Sequence, residues 1–310
     1  MNNAIIGLSL PTYLFWLTQK YKDNFVFYEK SDLLGNWAPL KHNDNYYESA
    51  CHILSLPNLK LYNSIRNKGF NLVEMNPQPC TFSISDQRYR KYFNFKHSLY
   101  YFKKNFLKGK YIDSLKLLSL FNKKFFYFKN GSFELFAKLK KANIVCRSIK
   151  NFEISNTGLN IDNEIFNRVF ITPGTIFDNY TIDRKLHDFS FKEKHSKHIL
   201  IHAEKVKREI SYIRIHGHKN IFRISRANYS ENDLYLVASD WNKEVTKDNI
   251  QNLFSMMGFC DSFEIIKEIN ITDRLATSEI KSKFVKYIYK GEKNFMSAAH
   301  QIFSEKNIIR

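Results

Sequence analysis

The chain has 310 residues, with 48 Lys and Arg against 30 Asp and Glu, and its formal net charge is +18. A length of 310 residues allows one large or two ordinary domains. A hydrophobic content of 44% and an aromatic content of 16% exclude a disordered chain. The longest apolar run, Ala4–Leu17, is too short for a membrane span and follows no basic segment. The four scattered cysteines show neither zinc nor disulfide spacing, so we expect a cytoplasmic protein.

The N-terminal residues predict a strand, a tight turn, a helix and a second strand. Ala4–Ile6 is a short apolar strand that runs into Gly7, and the apolar run from Leu10 is long enough for a buried helix. Phe25–Tyr28 is aromatic and β-branched, as expected of a strand. Glu29 ends this strand 22 positions after Gly7, close to the spacing of about 20 in a dinucleotide-binding βαβ unit.

The turn after the first strand predicts a phosphate site built around one glycine. When Gly7 is aligned with the first glycine of G-x-G-x-x-G, Ser9 and Thr12 stand at the second and third positions. Pro11 suits the first turn of the helix that follows. We expect this turn to bind a pyrophosphate at the helix N-terminus, with the Ser9 hydroxyl as one donor. The Glu29 carboxylate is expected to accept hydrogen bonds from a ribose.

The segment Phe27–Trp37, FYEKSDLLGNW, resembles the second half of the N-terminal FAD motif of one flavoprotein superfamily. This superfamily contains amine oxidases, protoporphyrinogen oxidases and UDP-galactopyranose mutases. Its motif is a strand, an acidic residue, Lys or Ser, a few residues and a Gly-Gly pair, which is Gly35-Asn36 here. The resemblance implies that FAD is the cofactor. The residues that it implies along the cofactor are Glu29, Lys30, Gly35, Asn36 and Trp37.

Two later segments occur in the order of the same superfamily. Tyr47–His52 followed by Lys60–Phe70 is similar to its histidine-containing loop and the helix after it, and implies that His52 lies near the flavin ring. Gly131–Pro173 is similar to the return of the chain to the FAD domain. The residues that this second segment implies near the cofactor are Ile149, whose backbone contacts the adenine, and Thr172 and Pro173.

These patterns predict an α/β fold: a Rossmann-type FAD- or NAD(P)-binding domain, an inserted helical segment and a mainly antiparallel substrate domain. The Rossmann-type domain is expected over 1–75 and 129–180, and the helical insertion over 76–128, where helix is predicted from Arg88 to Phe128. The substrate-type domain, with sheet and helices, is expected over 181–310. The superfamily ends with a closing strand, a Gly-Asp or Gly-Arg pair and a helix. Here the chain stops about where we expect that strand to begin.

The predicted substrate domain contains two groups of candidate residues. Arg223 and Arg226, in the strand-like run IFRISR, are candidates for holding an anionic substrate or are surface residues. A second group shares only its proximity in sequence: His195, His198, His202, His216 and His218. No carboxylate at ligand spacing accompanies these histidines, so we expect no metal site. No pattern assigns a catalytic residue.

The sequence leaves three functions open. The first is an FAD-dependent oxidoreductase, of the amine oxidase or mutase type, acting on an unidentified small molecule. The second is a non-catalytic protein on the same scaffold that binds a nucleotide weakly or needs a partner subunit, or a second copy, to complete the site. The third is a nucleic-acid-binding protein. The positive charge is spread without a long basic run and accompanies many Asn, Ile, Phe and Tyr residues, so we favour base composition as its origin over a nucleic-acid partner.

Overall fold

The computed structural model describes residues 2–29, 39–42, 45–48, 54–56, 59–91, 124–141, 146–147, 149–155, 157–172, 180–182, 191–227, 233–276 and 282–288. The chain forms two compact units. The first unit comprises Met1–Tyr46, Ser132–Lys194 and Thr272–Arg310. The second unit comprises Tyr47–Gly131 and His195–Ile271. No helix in the described part of the chain is both long and apolar enough to cross a membrane.

Strands outnumber helices in the described residues. The strands, in chain order, are β1 (Asn3–Ile6), β2 (Phe25–Tyr28), β3 (Leu40–His42), β4 (Asn45–Tyr47), β5 (Leu54–Leu56), β6 (Leu72–Glu74), β7 (Cys80–Ser83), β8 (Arg88–Lys91), β9 (Lys124–Phe128), β10 (Cys146–Arg147), β11 (Phe152–Ile154), β12 (Leu159–Ile161), β13 (Glu164–Ile165), β14 (Val169–Ile171), β15 (Tyr180–Ile182), β16 (Phe191–Glu204), β17 (Tyr212–His216), β18 (Ile221–Arg226), β19 (Leu234–Asp240), β20 (Ser262–Ala276) and β21 (Val285–Tyr287). The helices are α1 (Leu10–Thr18), α2 (Leu59–Arg66), α3 (Phe133–Lys141) and α4 (Lys247–Met257), with a 3-10 turn at Lys22–Asn24.

The first unit is built on a five-stranded parallel sheet. Its strand order is β10-β2-β1-β14-β21, and every neighbouring pair is parallel. Counted along the chain, these strands stand in the order 3-2-1-4-5, which is the order of the Rossmann fold. The predicted α/β fold is therefore confirmed.

Apolar side chains on both faces of this sheet explain why its strands form. Ile5 and Phe170 pair across β1 and β14, and the Phe170 ring lies 4.8 Å from the ring of Phe15 in α1. The opposite face of these strands packs on the four-stranded sheet β13-β12-β11-β15, through buried residues such as Ile6 and Phe152. Burial on both faces favours the short, nearly continuous apolar runs seen in β1 and β14.

The closing strand of the parallel sheet is present, contrary to our expectation. β21 pairs with β14 in parallel, with Val285 opposite Val169 and Tyr287 opposite Ile171. The prediction was wrong because the strand has only three residues, and Lys286 stands between Val285 and Tyr287. Val285 is buried, whereas Lys286 and Tyr287 are only partly buried, so the strand lacks the continuous apolar burial of β14.

The second unit contains a seven-stranded sheet, β20-β16-β19-β18-β17-β7-β8, and a three-stranded sheet, β5-β9-β6. The pairs from β16 to β17 are antiparallel, and β17 pairs with β7 in parallel. One face of the seven-stranded sheet packs on α4, where Phe254, Tyr235 and Phe259 form edge-to-face ring contacts. The expected antiparallel sheet therefore exists, but it also includes β7 and β8 from the predicted helical insertion.

Two predicted assignments need correction. Helix was predicted from Arg88 to Phe128, but β8 and β9 are strands, and residues 92–123 lie outside the described part. β9 is the central strand of its sheet, with most of its aromatic side chains buried, and such a run cannot be told from a buried helix by periodicity. The unit boundaries also differ from the predicted domains. Residues 47–75 join the second unit through β5 and β6, and β21 places the last segment in the first unit.

Candidate cofactor site at the end of the parallel sheet

The carboxyl ends of β1 and β14 lie side by side where the chain order of the parallel sheet reverses. Ile6 stands opposite Ile171 in this pair, so the residues that follow, Gly7 and Thr172, lie at the same edge of the sheet. Open α/β sheets bind their ligands in the crevice at such a switch point. The structure therefore brings together two parts of the predicted site that are 165 residues apart in the sequence.

Gly7 forms the tight turn that the sequence predicted. Its φ angle is +86°, in the region that disfavours side chains, and its N–H donates to the Tyr28 carbonyl at 2.9 Å. A Cβ added to Gly7 would meet no atom within 4 Å. The glycine is therefore required by backbone conformation, and the space beside it allows a ligand to approach the main chain.

Glu29 reaches back from the end of β2 to this turn. Its backbone N–H donates to the carbonyl of Arg147 at 2.9 Å, which fixes its position at the sheet edge. Its Oε2 atom accepts a hydrogen bond of 2.5 Å from the backbone N–H of Leu8. Glu29 therefore lies where the βαβ pattern predicts its carboxylate, and it is an anion bound to the turn by the chain itself.

Ser9 and Thr12 form a capping box at the start of α1. The Ser9 N–H donates to Thr12 Oγ1 at 2.8 Å, and Thr12 Oγ1 donates to the Ser9 carbonyl at 2.9 Å. The Ser9 side chain accepts from the Thr12 N–H, completing the reciprocal pair. Thr12 is fully buried. The structure thus gives these two residues a role in starting the helix, which the comparison with the glycine pattern did not reveal.

The internal hydrogen bonds of the turn leave few donors for a pyrophosphate. The N–H groups of Gly7, Leu8 and Ser9 donate to Tyr28, Glu29 and Thr12 respectively. Pro11 is buried in the first turn of α1 and has no N–H group. Among the described residues, the Leu10 amide is the donor of this turn without an intramolecular acceptor. A diphosphate would have to displace Glu29 from Leu8 to gain a second adjacent donor.

The other predicted cofactor residues fall in two groups. Ile149 is described; it is partly buried and packs against the core between the parallel sheet and the four-stranded sheet of the first unit. The predicted residues that lie outside the described part of the chain are Lys30, Gly35, Asn36, Trp37, His52 and Pro173.

Arg223 and Arg226 lie on opposite faces of β18. Arg223 pairs with Ala238 and Arg226 pairs with Tyr235, so their side chains alternate across the sheet. Arg226 Nη2 donates to Glu209 Oε1 at 2.9 Å, and this ion pair satisfies its charge. The two arginines therefore do not converge on one ligand.

His198 contacts Arg223, a partner that the sequence did not suggest. The side chain of His198 is 3% exposed, and its Nε2 atom lies 3.2 Å from Arg223 Nη2 and 3.4 Å from Ser196 Oγ. Because a guanidinium only donates, His198 Nε2 is the acceptor. The contact depends on strand pairing over 25 residues, which sequence proximity among histidines cannot show.

A search of solved structures finds proteins of the same fold. A fatty acid isomerase from P. acnes that produces CLA is 10% identical, with a TM-score of 0.67 over 97% of this chain and 96% of that chain. An oxidoreductase from Methanosarcina mazei is 11% identical, with a TM-score of 0.62 over 98% and 99%. A reduced UDP-galactopyranose mutase is 9% identical, with a TM-score of 0.55 over 88% and 83%.

The chain has a flavoprotein oxidoreductase-like fold. UDP-galactopyranose mutases belong to the superfamily that the N-terminal motif resembles, so that resemblance is confirmed at the level of the fold. No protein-family model matches the sequence, and a comparison with curated proteins gives no match. Identities near 10% show the fold and leave the activity to the residues of the site.

Proposed function

We propose that the protein is an FAD-dependent oxidoreductase that acts on a small molecule. The observation that carries this proposal is the Glu29 carboxylate at the Gly7 turn, on the switch-point edge of a sheet in Rossmann order. Glu29 and Gly7 come from the ends of adjacent strands, as a ribose and a pyrophosphate of one dinucleotide would require. Bound FAD would supply the redox chemistry, and the protein would supply position and electrostatics.

The Glu29 carboxylate and the turn at Gly7 would hold the adenosine diphosphate half of FAD. Glu29 would accept hydrogen bonds from the ribose, and the turn at Gly7 would admit the pyrophosphate to the start of α1. The resemblance adds a further set that would lie along the cofactor: Lys30, Gly35, Asn36, Trp37, His52, Ile149, Thr172 and Pro173. The net charge of +18 would favour the approach of this anionic cofactor.

The closing strand supports the same proposal. β21 ends beside the switch-point strand β14, and Gly291-Glu292 follows it in the sequence. The superfamily places a Gly-Asp or Gly-Arg pair after its last strand. We therefore propose that Gly291-Glu292 is the counterpart of that pair in this chain.

A non-catalytic protein on the same scaffold is the second candidate. The observation that favours it is the internally bonded turn, where Glu29 and the Ser9–Thr12 pair use donors that a pyrophosphate would need. Such a chain would bind a nucleotide weakly, or would need a partner subunit or a second copy for tight binding.

Visible absorption separates the two candidates. The purified protein is mixed with excess FAD, desalted, and scanned for flavin bands. Retained bands near one flavin per chain are expected for the oxidoreductase, and reduction by a candidate substrate would then define the reaction. If all flavin is lost on desalting, the first proposal fails and the second stands. Gel filtration with and without FAD reports whether a second copy completes the site.

A further inference from the structure

We propose that one face of the seven-stranded sheet binds single-stranded nucleic acid through a group of arginines. The face is the one opposite α4, on β18, β17, β7 and β8, which are neighbours in the sheet. The six side chains that define this arginine face are Arg88, Arg90, Tyr212, Arg214, His216 and Arg223. The binding would be additional to the proposed oxidoreductase activity and would not require flavin.

Strand pairing places three of these arginines in one row across the sheet. Arg214 on β17 stands directly opposite Arg223 on β18. On its other side it stands opposite Thr81 on β7, which is opposite Arg90 on β8. Arg88 lies two residues from Arg90 on the same strand and therefore on the same face. At about 4.8 Å between neighbouring strands, the four strands spread these charges over about 14 Å.

The arginine face is accessible, because its side chains alternate with those of the buried core. On β17, Ile213 and Ile215 pack in the core with α4. Arg214 and His216 alternate with them and are exposed. Arg88 on β8 is exposed as well. An extended ligand lying on the sheet can therefore reach these groups without a cavity.

The composition of the chain does not explain the choice of arginine on this face. The 48 basic residues comprise 36 Lys and 12 Arg. On these four strands, the Lys and Arg side chains that lie on the arginine face are all arginines. Base composition, which we favour as the origin of the overall charge, does not account for this selection. A guanidinium binds phosphate through two parallel hydrogen bonds and stacks on planar rings, and a lysine ammonium offers neither geometry.

The charges of the arginine face are not balanced within the described part of the chain. Arg214 and Arg223 are like charges directly opposite each other, an arrangement that is destabilising by itself. Neither has an ion pair with an acidic residue there, whereas Arg90 is paired with Asp86. β17 lies between β18 and β7, so Arg214 does not protect a sheet edge. A bound polyanion would supply the missing negative charge.

The rings on β17 select nucleic acid among polyanions. Tyr212 and His216 each stand two residues from Arg214, one on either side, and all three lie on the same face. A nucleic acid carries one base for each phosphate, and unpaired bases stack on Tyr, His and Arg side chains. The bases of a duplex already stack on one another. We therefore infer a single strand, of RNA or DNA.

Fluorescence anisotropy with a labelled oligouridylate of about 12 nucleotides tests the proposal. The oligonucleotide is expected to bind more tightly than a duplex of equal length and than inorganic polyphosphate. If about three phosphates are contacted, the logarithm of the association constant should fall with the logarithm of salt concentration at a slope of about −2.

Variants separate the arginine face from the overall charge. Arg214→Gln should reduce the salt slope by about 0.7, and so weaken binding about fivefold at 0.1 M salt, whereas Arg214→Lys should preserve the slope. His216→Ala should weaken binding about fivefold with the slope unchanged, as for loss of one stacked base. Lys247→Gln, at an exposed position of α4, is the charge-matched control and is expected to leave affinity unchanged.

Several results would overturn the proposal. Absence of oligouridylate binding at low salt would reject it outright. Equal losses in Arg214→Gln and Lys247→Gln would assign the binding to the overall charge, and equal affinity for duplex or polyphosphate would show that unpaired bases are not recognised. If Arg214→Gln does not fold, Arg88→Gln on the edge strand β8 gives the same test. Flavin retention is measured separately, so the proposed function and this inference can fail independently.

Discussion

At the scale of single residues, the Glu29 carboxylate has two competing hydrogen-bond roles at the Gly7 turn. Its carboxylate is the group expected to bind a ribose, and in the structure it accepts from the Leu8 amide. If FAD binds as proposed, the same residue would both hold the ribose and block one amide of the proposed phosphate site. Whether FAD binds tightly depends on which contact of Glu29 is stronger.

Replacing Gly7 by Ala is expected to lower FAD affinity and stability together. Alanine at a φ of +86° is strained by about 1 to 2 kcal/mol, and the methyl group would project beside the turn. Gly258→Ala is the matched control, because Gly258 is also left-handed, at +58°, with no atom within 4 Å of an added Cβ. Urea unfolding should show similar losses for both variants, and FAD titration should show weaker binding for Gly7→Ala alone. Equal FAD affinity in the two variants would contradict the site.

His218 is expected to make stability depend on pH. Burial lowers the pKa of His218 below 6.5, and its Nδ1 atom accepts from the N–H groups of Asn220 and Ile221 at 3.1 and 2.9 Å. The unfolded chain therefore binds this proton more readily than the folded one. The free energy of unfolding should be unaffected by this group above pH 6.5 and should fall as the pH is lowered from there through the folded pKa.

His218→Asn keeps an uncharged acceptor near the position of Nδ1 and should reduce this loss of stability at acidic pH. His202→Asn, at an exposed position of β16, is the control and should preserve it. Urea unfolding at several pH values measures both. An unchanged acid dependence in His218→Asn would assign the effect to other groups.

At the scale of elements, the two helices with capping boxes allow helix stability to be separated from ligand binding. Ser9 caps α1 at the candidate site, and Thr246 caps α4 in the other unit by the same reciprocal bonds with Asn249. Ser9→Ala and Thr246→Ala should each lower stability by about 1 kcal/mol, as for other N-caps.

The FAD affinity of Ser9→Ala decides what the Ser9 hydroxyl does. Because that hydroxyl is engaged with Thr12 in the structure, we expect FAD affinity to change little beyond the effect in Thr246→Ala. Fluorescence quenching of FAD on titration measures it. A large loss in Ser9→Ala alone would restore the sequence prediction that this hydroxyl donates to the phosphate.

The elements that could be predicted from the sequence are those whose own residues show the periodicity or turn signals of the structure they form. β1, α1 and β2 were found because their apolar runs, Gly7 and Glu29 are all local signals. β9 was predicted as helix, since a central strand with aromatic side chains on both faces loses its alternation. The Arg223–His198 contact could not be predicted, because it depends on the register of β16 and β18 with β19.

At the scale of the whole molecule, the boundaries of the two units could not be predicted from local sequence patterns. Residues 47–75 contain β5, α2 and β6, which were predicted as a continuation of the first domain, yet β5 and β6 pair with β9 in the second unit. The 3-2-1-4-5 order likewise joins strands from four separate parts of the chain. Such assignments require pairing partners that a single sequence does not reveal.

FAD should raise the stability of the chain by mass action if the proposed site exists. A ligand that binds only the folded state, at a concentration one hundred times its dissociation constant, contributes about 2.7 kcal/mol. Urea unfolding with increasing FAD should therefore show a rising midpoint that follows the logarithm of FAD concentration. Gly7→Ala should need more FAD for the same rise. A midpoint independent of FAD would support the non-catalytic candidate.

The late position of β21 has a consequence for how the chain is synthesised. Its partner β14 is complete at Ile171, and Val285 follows 114 positions later in the sequence. At translation rates of about 5 to 20 residues per second, β14 would wait roughly 6 to 23 seconds for its neighbour. During this time one edge of an apolar strand is available to other strands, including those of neighbouring nascent chains. During the interval before β21 is made, this edge is therefore open to chaperones and to aggregation.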